Sequence, residues 1–286
     1  MEDLAGKVAF ITGGASGIGL GFARALARRG VRLALADRDA AGLAAAADAL
    51  TDAGAEVLAI TCDVADADSV QQAADSTIAR FGKVHVVMNN AGVSLNGSSG
   101  AIPLSDWRWI VDINLMGVVH GVEIFVPLIE SHGEGGYIIN TASMAGHWAS
   151  SFMAPYTATK FAVVGYSETL AQELAPRGIG VSALCPGWVR TKIAESGRHL
   201  PSNADAPQSE AAGAIHDLIN NGLSPDVVGE VVIQAMAEKR MHIFTHDDMR
   251  PVIDLRRDAL QNDFGRAADA VREAEARLSE TPSGTE

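Results

Sequence analysis

Short apolar runs alternate with longer segments of helical periodicity along most of the chain. We interpret the short runs as strands, because near-continuous apolar sequence is typical of strands that are covered on both faces of a sheet. A candidate seventh run is less apolar than the other six. The predicted strands are residues 7–12, 31–36, 57–62, 84–88, 137–140, 180–184 and 241–245.

The segments between these strands carry apolar residues at helical spacing and commonly stop at glycine or proline. Strand and helix alternate regularly, which predicts an α/β fold with a doubly wound parallel sheet and helices on both faces. Pro127 predicts a kink or an end in the longest of the central helices. The predicted helices are residues 22–29, 40–53, 69–81, 104–130 and 156–174.

Two segments depart from this alternation. Residues 190–226 are polar and rich in Gly, Ser, Asn and Pro, which predicts a long loop or substrate lid with short helices. Residues 247–286 are highly charged, with a polar helix predicted over 256–278 and a disordered tail after it. We therefore predict one domain over 1–246, which includes the lid, and a C-terminal extension over 247–286.

Composition narrows the class of protein. The formal net charge of −13 repels phosphate backbones, so nucleic acid is not an expected partner. The only two cysteines, Cys62 and Cys185, form no CxxC pair and are interpreted as buried thiols in a reducing compartment. The N-terminus resembles no signal peptide, and no apolar run approaches a membrane span. We expect a soluble, cytoplasmic protein that does not enter a membrane.

A glycine-rich turn follows the first strand and opens a helix, reading TGGASGIG over residues 12–19. Glycines let the backbone turn tightly beside a pyrophosphate, and the helix N-terminus supplies N–H groups and a positive dipole end. The spacing is GxxxGxG rather than the GxGxxG fingerprint. A turn without a ligand is the alternative, but the position after strand one favours a dinucleotide site.

Asp37 ends the second strand, about 20 residues after Gly17, where an acid can bind the adenine ribose. A carboxylate there opposes a 2′-phosphate, because two like charges at ~4 Å cost roughly 4 kcal/mol at an effective dielectric of 20. Solvent and Arg38 reduce that cost, and Arg38 can also bind the 2′-phosphate. Asp37 and Arg38 together favour NAD as the cofactor, and NADP stays open as an alternative.

Tyr156 and Lys160 are four residues apart in a predicted helix, so their side chains share one face. An ammonium beside a phenol favours the phenolate and lowers the pKa of the phenol from about 10. The phenol then becomes a proton donor or acceptor near neutral pH. Ser143 lies thirteen residues before the tyrosine.

Together these motifs resemble the short-chain dehydrogenase/reductase family over roughly residues 5 to 245. The resemblance implies a single-domain Rossmann-like fold with about seven strands, and a catalytic tetrad of Asn114, Ser143, Tyr156 and Lys160. The motifs that carry it are TGGASGIG (12–19), Asp63-Val64, Asn89-Asn90-Ala91-Gly92, Asn114, Ser143, YxxxK (156–160) and Pro186-Gly187.

The resemblance also implies a cofactor site. Asp63 and Val64 are expected at the adenine, Asn90 to Gly92 along the cofactor, and Thr191 at the nicotinamide carboxamide. Ser16 stands where many NADP-preferring members carry a basic residue, which again favours NAD. The expected cofactor-binding residues are Gly13, Ser16, Gly17, Ile18, Gly19, Asp37, Arg38, Asp63, Val64, Asn90, Ala91, Gly92, Tyr156, Lys160, Pro186, Gly187, Val189 and Thr191.

The implied reaction interconverts a secondary alcohol and a ketone. Tyr156 is expected to exchange the proton, Ser143 to orient the substrate oxygen, and Asn114 to hold a water that links Lys160 to solvent. Large apolar residues near the site favour a bulky hydrophobic substrate, and a weaker resemblance points to aryl secondary alcohols. The expected pocket residues are Ser94, Leu95, Met144, Trp148, Phe152, Met153 and Trp188.

Two alternatives stay open. One is an NADPH-dependent carbonyl or 3-oxoacyl-carrier reductase, and the other is a dinucleotide-binding protein without turnover. The retained Tyr and Lys argue against the second alternative. The scattered histidines form no metal motif, so no metal is expected. The long apolar helices suggest, through the resemblance, a homotetramer or a homodimer.

Overall fold

The computed structural model describes residues 3–202 and 210–280. Its centre is a seven-stranded parallel sheet in the order β3-β2-β1-β4-β5-β6-β7. The predicted doubly wound parallel sheet is therefore confirmed, including its seventh strand. The strands are β1 Val8–Thr12, β2 Arg32–Asp37, β3 Val57–Thr61, β4 Val86–Asn89, β5 Gly136–Thr141, β6 Ile179–Cys185 and β7 His242–Phe244.

Helices cover both faces of this sheet, and each predicted helix is present with shifted ends. The crossing order reverses between β1 and β4, which places a crevice at the carboxyl ends of these strands. The helices of the sheet domain are α1 Gly17–Ala27, α2 Ala40–Asp52, α3 Ala67–Phe81, α4 Leu104–Val111, α5 Gly117–Ser131, α6 Ala154–Leu174, α7 Glu210–Asn220 and α8 Pro225–Glu238.

The predicted helix over 104–130 differs in its interior. A π-helical turn at Asp112–Met116 separates α4 from α5, and such bulges are frequent at functional sites. Pro127 lies inside α5 and does not end it, so the prediction of an end there is wrong.

Helix α8 has no counterpart in the sequence prediction. It begins with Pro225 at its first position. Proline is tolerated there because the backbone N–H of the first helical residue has no acceptor within the helix. It packs closely on α1, because a Cβ at Gly21 would lie 2.2 Å from the Pro225 carbonyl oxygen and one at Gly229 would lie 2.5 Å from the Gly21 carbonyl oxygen. Two glycines thus let the two helix backbones meet.

Two apolar clusters fill the space on either side of the sheet. One joins α1 and α8 to the sheet around Phe22. The other joins α3, α5 and α6 to the opposite face, where the rings of Phe10 and Phe125 stack with centroids 4.3 Å apart. Within the described residues, the stretch Leu104–Ser131 is long and apolar enough for a membrane span, yet half of its most apolar window is buried in the protein, as in a core helix.

The chain divides into two compact units, Met1–Thr245 and His246–Glu286. The second unit consists mainly of helix α9, Arg250–Glu280. This helix is longer at both ends than the predicted helix over 256–278. The predicted tail from 279 falls within α9 at its first two residues and otherwise lies outside the described residues.

Candidate active site

The glycine-rich turn between β1 and α1 forms a cradle that side chains would fill. Gly13 and Gly17 have φ angles of +65° and +53°, which glycine adopts without strain. A Cβ at Gly19 would lie 2.3 Å from the Gly13 carbonyl oxygen. Ser16 precedes α1 without capping it through its side chain, and Ile18 is buried beneath the turn. The N-terminus of α1, half-buried at Ser16 and Gly17, suits a phosphate group.

Asp37 at the end of β2 is tied to this cradle. Its carboxylate accepts hydrogen bonds from the backbone N–H groups of Ala15 (3.0 Å) and Asp39 (3.0 Å). These two hydrogen bonds therefore hold the Asp37 carboxylate, with its negative charge, beside the glycine turn. Arg38 follows as an exposed residue.

The turn after β3 is the next wall of the crevice. Asp63 is exposed, and its carboxylate accepts from the Ala65 N–H at 3.0 Å. Val64 is buried, and a Cβ at Gly117 would lie 2.8 Å from the Val64 Cγ2 atom. Helix α5 thus holds this turn in place at its glycine.

Asn90 joins three strands at the floor of the crevice. Its backbone N–H donates to the Thr12 hydroxyl (2.9 Å), and its side-chain amide donates to the Thr12 carbonyl (3.0 Å). The Thr141 hydroxyl donates to its Oδ1 atom at 3.4 Å. Ala91 also donates to the Thr12 hydroxyl. These hydrogen bonds tie the end of β4 to β1 and β5, so the segment steadies the sheet.

Thr191 closes the crevice from the side of β6. A Cβ at Gly17 would lie 2.9 Å from the Thr191 Cγ2 atom, so the threonine packs directly on the glycine turn. Pro186 accepts a hydrogen bond from the Met144 N–H, Gly187 follows it, and the buried Val189 pairs with Leu223. Residues far apart in sequence are thereby brought to one crevice.

Tyr156 lies near the start of α6 and is only 8% exposed. Burial raises the pKa of its phenol, because desolvation disfavours the phenolate, and a hydrogen bond with the Ser143 side chain opposes that rise. Ser143 is held in place since its hydroxyl also accepts from the Ala145 N–H at 3.1 Å. The serine and the tyrosine, predicted to act together, are in contact.

Lys160 shares the helix face with Tyr156, and its Nζ atom lies 5.6 Å from the centroid of the tyrosine ring. The ammonium donates to the Thr141 carbonyl at 2.8 Å and is 3% exposed. Burial lowers the pKa of Lys160 to about 8. The predicted lowering of the pKa of Tyr156 is wrong for this structure, because the cost of burying the phenolate exceeds the stabilising contacts.

Asn114 lies in the π-helical turn, fully buried. Its Oδ1 atom accepts from the Val93 N–H (2.8 Å), and its Nδ2 donates to the Val93 carbonyl (2.9 Å) and to the Thr159 hydroxyl (3.3 Å). A Cβ at Gly92 would lie 3.3 Å from the Asn114 Oδ1 and 3.6 Å from the Lys160 Nζ. The asparagine therefore fixes the loop after β4 beside Lys160, and its expected role in holding a water stays a prediction.

An apolar cluster surrounds Tyr156 and includes two of the predicted pocket residues, Leu95 and Met153. Met144 is buried outside this cluster, Trp188 is half-buried outside it, and Trp148 and Phe152 are exposed. Two further members, Ile193 and Leu200, fall within the predicted lid over 190–226. The remaining members were not among the expected pocket residues; they are Ile110 on α4, with Val93, Ile102, Trp109 and Ala145 packed against the cluster.

The segment 192–202, part of the predicted lid, brings Ile193 and Leu200 to the site and is held by hydrogen bonds at two points. The Ser94 N–H donates to the Ser196 hydroxyl at 3.1 Å. The Asp106 carboxylate on α4 accepts from the Ser202 N–H at 3.2 Å and from its hydroxyl at 2.7 Å. Asp106 is 2% exposed. A single polar residue in an amphipathic helix gave no signal of this role.

One group of potential metal ligands is present among the described residues, at the opposite edge of the sheet. His85, His132 and Glu134 have ligand atoms within 4.8 Å of one another. Each histidine nitrogen there already has a hydrogen-bond partner at 2.8–3.2 Å. Hydrogen bonds within the protein thus already hold both histidine rings of this group.

Comparison with known proteins agrees with this geometry. The family model for short chain dehydrogenase matches residues 7–200, so the chain belongs to the short-chain dehydrogenase/reductase family of oxidoreductases. It is 35% identical to a CLA biosynthesis dehydrogenase/reductase of Lactiplantibacillus plantarum, over 89% of this chain and 93% of that protein.

Two further similarities cover nearly the whole chain. A C alpha-dehydrogenase of Sphingobium sp. strain SYK-6 is 30% identical, over 96% of this chain and 90% of that protein. The crystal structure of a short-chain dehydrogenase/reductase from Burkholderia phymatum in complex with NAD is 38% identical, covers 92% of this chain and 97% of that one, and superposes with a TM-score of 0.88.

Proposed function

We propose that this protein is a nicotinamide-dependent dehydrogenase that interconverts a secondary alcohol and a ketone. The observation that carries the proposal is the buried Tyr156 phenol within an apolar cluster. This phenol is hydrogen-bonded to the Ser143 side chain, and Tyr156 shares its helix face with Lys160. The glycine cradle at β1 and the Thr191 contact with Gly17 supply a binding place for the dinucleotide.

The roles of the side chains follow from their chemistry. When bound, the nicotinamide ring accepts or supplies the hydride. Tyr156 exchanges the proton with the substrate oxygen, and Ser143 donates a hydrogen bond to that oxygen. Because burial raises the pKa of Tyr156, the phenol is protonated at neutral pH, which is the form that ketone reduction requires. Alcohol oxidation instead requires the phenolate, which the Lys160 ammonium favours.

We further propose NAD rather than NADP as the cofactor. The Asp37 carboxylate is fixed beside the glycine turn by the Ala15 N–H, where it opposes a 2′-phosphate. The similar protein from Burkholderia phymatum binds NAD, which supports the same choice. The competing function is an NADPH-dependent carbonyl or 3-oxoacyl-carrier reductase, which the exposed Arg38 next to Asp37 favours.

The substrate class follows from the cluster around Tyr156. Its members are aliphatic and aromatic, so we propose a bulky hydrophobic or aryl alcohol rather than a sugar. The similarity to a C alpha-dehydrogenase supports an aryl substrate. We also propose that the chain works as a homotetramer or a homodimer, with no nucleic acid or membrane partner.

A panel of aryl and aliphatic secondary alcohols and ketones, assayed with NAD(H) and NADP(H), tests the proposal. We expect turnover with NAD(H) and a preference for the bulky members. Absorbance of the reduced nicotinamide gives the rate. Turnover of sugars alone, or equal rates with small and bulky substrates, would contradict the assigned substrate class.

Tyr156→Phe tests the catalytic assignment. Losing a positioned acid or base lowers kcat by about 10²–10⁴-fold, while cofactor binding measured by fluorescence titration should change only a few-fold. Tyr166→Phe is the matched control, because Tyr166 lies on the same helix and its hydroxyl donates to Glu123 at 3.2 Å instead. Equal activity of the two variants would overturn the assignment.

A further inference from the structure

His120 on α5 contacts the turn that follows β3. Its Nδ1 atom lies 2.9 Å from the Val64 carbonyl oxygen. A carbonyl oxygen only accepts hydrogen bonds, so the imidazole donates and the proton lies on Nδ1. The ring is half-buried, and it reaches the turn from an element more than fifty residues further along the chain. None of the roles assigned to cofactor or substrate binding includes this histidine.

Helix α5 contacts Val64 at two points. His120 lies three residues after Gly117, so the two residues share one face of the helix. A Cβ at Gly117 would lie 2.8 Å from the Val64 Cγ2 atom and 3.4 Å from the Val64 carbonyl oxygen. The glycine thus permits the close approach of Val64, and the histidine binds the carbonyl of the same residue. Both the side chain and the backbone of Val64 are therefore held by α5.

The chain just before Val64 is held by other contacts. The Cys62 N–H donates to the Asp37 carbonyl at 3.0 Å, and the Asp63 N–H donates to the Ser69 hydroxyl at 3.0 Å. Both of these bonds are made by peptide groups that precede Val64. Of the three contacts, the hydrogen bond from His120 is the one that sets the direction of the Val64 carbonyl.

The strand order places this turn at one end of the crevice. The glycine turn follows β1, Asp37 ends β2 and the Val64 turn follows β3, and these three strands are neighbours in that order. Neighbouring strands lie about 4.8 Å apart. A dinucleotide with its pyrophosphate at the glycine turn and its adenine ribose at Asp37 would therefore bring its adenine ring to the carboxyl end of β3.

We propose that His120 is a positioning residue for the adenine ring of the cofactor and that it acts through Val64. This inference rests on the proposed function, because it requires a dinucleotide in the crevice. The imidazole orients the Val64 peptide, and the oriented turn forms one side of the place for the adenine. Loss of the hydrogen bond releases the turn and weakens binding of the adenine half of the cofactor.

Isothermal titration calorimetry with ADP-ribose tests this role, because ADP-ribose carries the adenine half of the cofactor without the nicotinamide. His120→Leu removes the donor, and we expect the Kd of ADP-ribose to rise about five- to tenfold. His120→Asn places an amide N–H near the position of Nδ1, so its Kd should stay within about twofold of the wild-type value. NAD and NADP should weaken by the same factor in His120→Leu, since both carry the same adenine.

His132→Leu is the matched control. His132 lies at the end of the same helix, and its Nε2 atom lies 2.8 Å from the carbonyl oxygen of Val84, just before β4. Its loss should lower the thermal unfolding midpoint as the loss of His120 does, but the Kd of ADP-ribose should stay within about twofold of the wild-type value. If His120→Leu does not fold, His120→Asp takes its place, because aspartate has the shape of asparagine without an N–H to donate.

Three outcomes would overturn the role of His120. These are a wild-type Kd in His120→Leu, an equal rise in His120→Asn, and an equal rise in His132→Leu, which would show that ADP-ribose binding follows general stability. Failure of the proposed function looks different. A wild type that binds ADP-ribose with the expected order of variants but oxidises no secondary alcohol would reject the dehydrogenase and retain the role of His120. A wild type that binds no ADP-ribose would reject both.

Discussion

Lys160 is where stability and chemistry oppose each other most directly. Its ammonium is buried and donates to a single carbonyl, that of Thr141. Burial lowers the pKa of this lysine from 10.5 to about 8, so the folded protein carries the charge at a cost. Under the proposed function, this charge would favour the phenolate of Tyr156 during alcohol oxidation.

This cost predicts a specific pH dependence. Between about pH 8 and pH 10.5 the unfolded chain binds a proton at Lys160 more readily than the folded chain, so the stability of the folded state rises across that window. Lys160→Met lacks this rise. We expect the wild type to gain up to about 3 kcal/mol relative to the variant between pH 7 and pH 10.5. Urea unfolding at both pH values measures it, and a constant difference would refute it.

We expect Asp37 to govern cofactor choice through its charge rather than its shape. Asp37→Asn keeps an oxygen for the Ala15 N–H but removes the repulsion of a 2′-phosphate. We expect the ratio of kcat/KM with NAD to that with NADP to fall by about tenfold, which corresponds to about 1.4 kcal/mol. Asp39→Asn is the control, because Asp39 caps α2. A ratio that drops equally in both variants would reject the ribose assignment.

At the scale of elements, the contact between α4 and the segment 192–202 positions the wall of the substrate pocket. Asp106→Ala leaves the Ser202 N–H and hydroxyl without their acceptor, and hydrogen bonds to a charged group are worth about 1.5–3 kcal/mol. We expect the KM for a bulky substrate to rise about tenfold or more, while the Kd of the cofactor stays within a few-fold. Steady-state kinetics and fluorescence titration measure the two effects.

A double-mutant cycle separates this positioning role from a general loss of stability. Asp106→Ala and Ser202→Ala should be strongly non-additive in KM, because each removes the same contact. Ser105→Ala is the control, since it removes a hydrogen bond to the Asp106 carboxylate (3.3 Å) and keeps both partners of the Asp106–Ser202 contact. Additive effects of the Asp106 and Ser202 changes would show that the contact does not hold the pocket wall.

The elements themselves were predictable where the pattern is local. Short apolar runs located all seven strands, and helical periodicity with the glycines that end helices located most helices. The spacing of Tyr156 and Lys160 placed both on one face. Helix α8 was missed because its apolar residues pack on α1, through a contact between Gly21 and Gly229 that no local pattern records.

The pocket was the least predictable part for the same reason. Ile110 on α4 and Leu200 in the segment 192–202 join the cluster around Tyr156 because the fold brings together elements that are far apart in the chain. The exposed Trp148 and Phe152 attracted the prediction by their size, whereas burial at this site is decided by long-range contacts. The pKa of Tyr156 illustrates a third limit, because desolvation depends on the complete fold and reverses the shift expected from one neighbouring charge.

At the scale of the whole molecule, the carboxyl ends and the amino ends of the parallel strands carry different groups of polar residues. The crevice and the candidate catalytic residues lie beyond the carboxyl ends of the strands. At the amino ends, Glu134 binds Lys7 at 2.9 Å, Lys83, and the buried His85 at 2.9 Å. His85 also accepts from the Val8 N–H. One carboxylate thus joins the chain before β1, the chain before β4 and the chain before β5.

This division predicts that stability and turnover can be changed separately. Glu134→Gln should lower the unfolding midpoint at pH 7 while kcat/KM at 25 °C stays within about twofold, since the site lies at the other end of the sheet. Lys83, Lys7 and His85 hold the pKa of Glu134 below its usual value of 4.5. Its contribution is therefore present above about pH 4.5 and is lost as the pH falls, so the stabilities of wild type and variant should converge below that pH.

Glu130→Gln is the control, because Glu130 binds only Arg177 among the described residues. Thermal unfolding from pH 3.5 to 7 distinguishes the two, and an equal loss in both variants would mean that the three-fold pairing at Glu134 adds nothing beyond an ordinary surface ion pair.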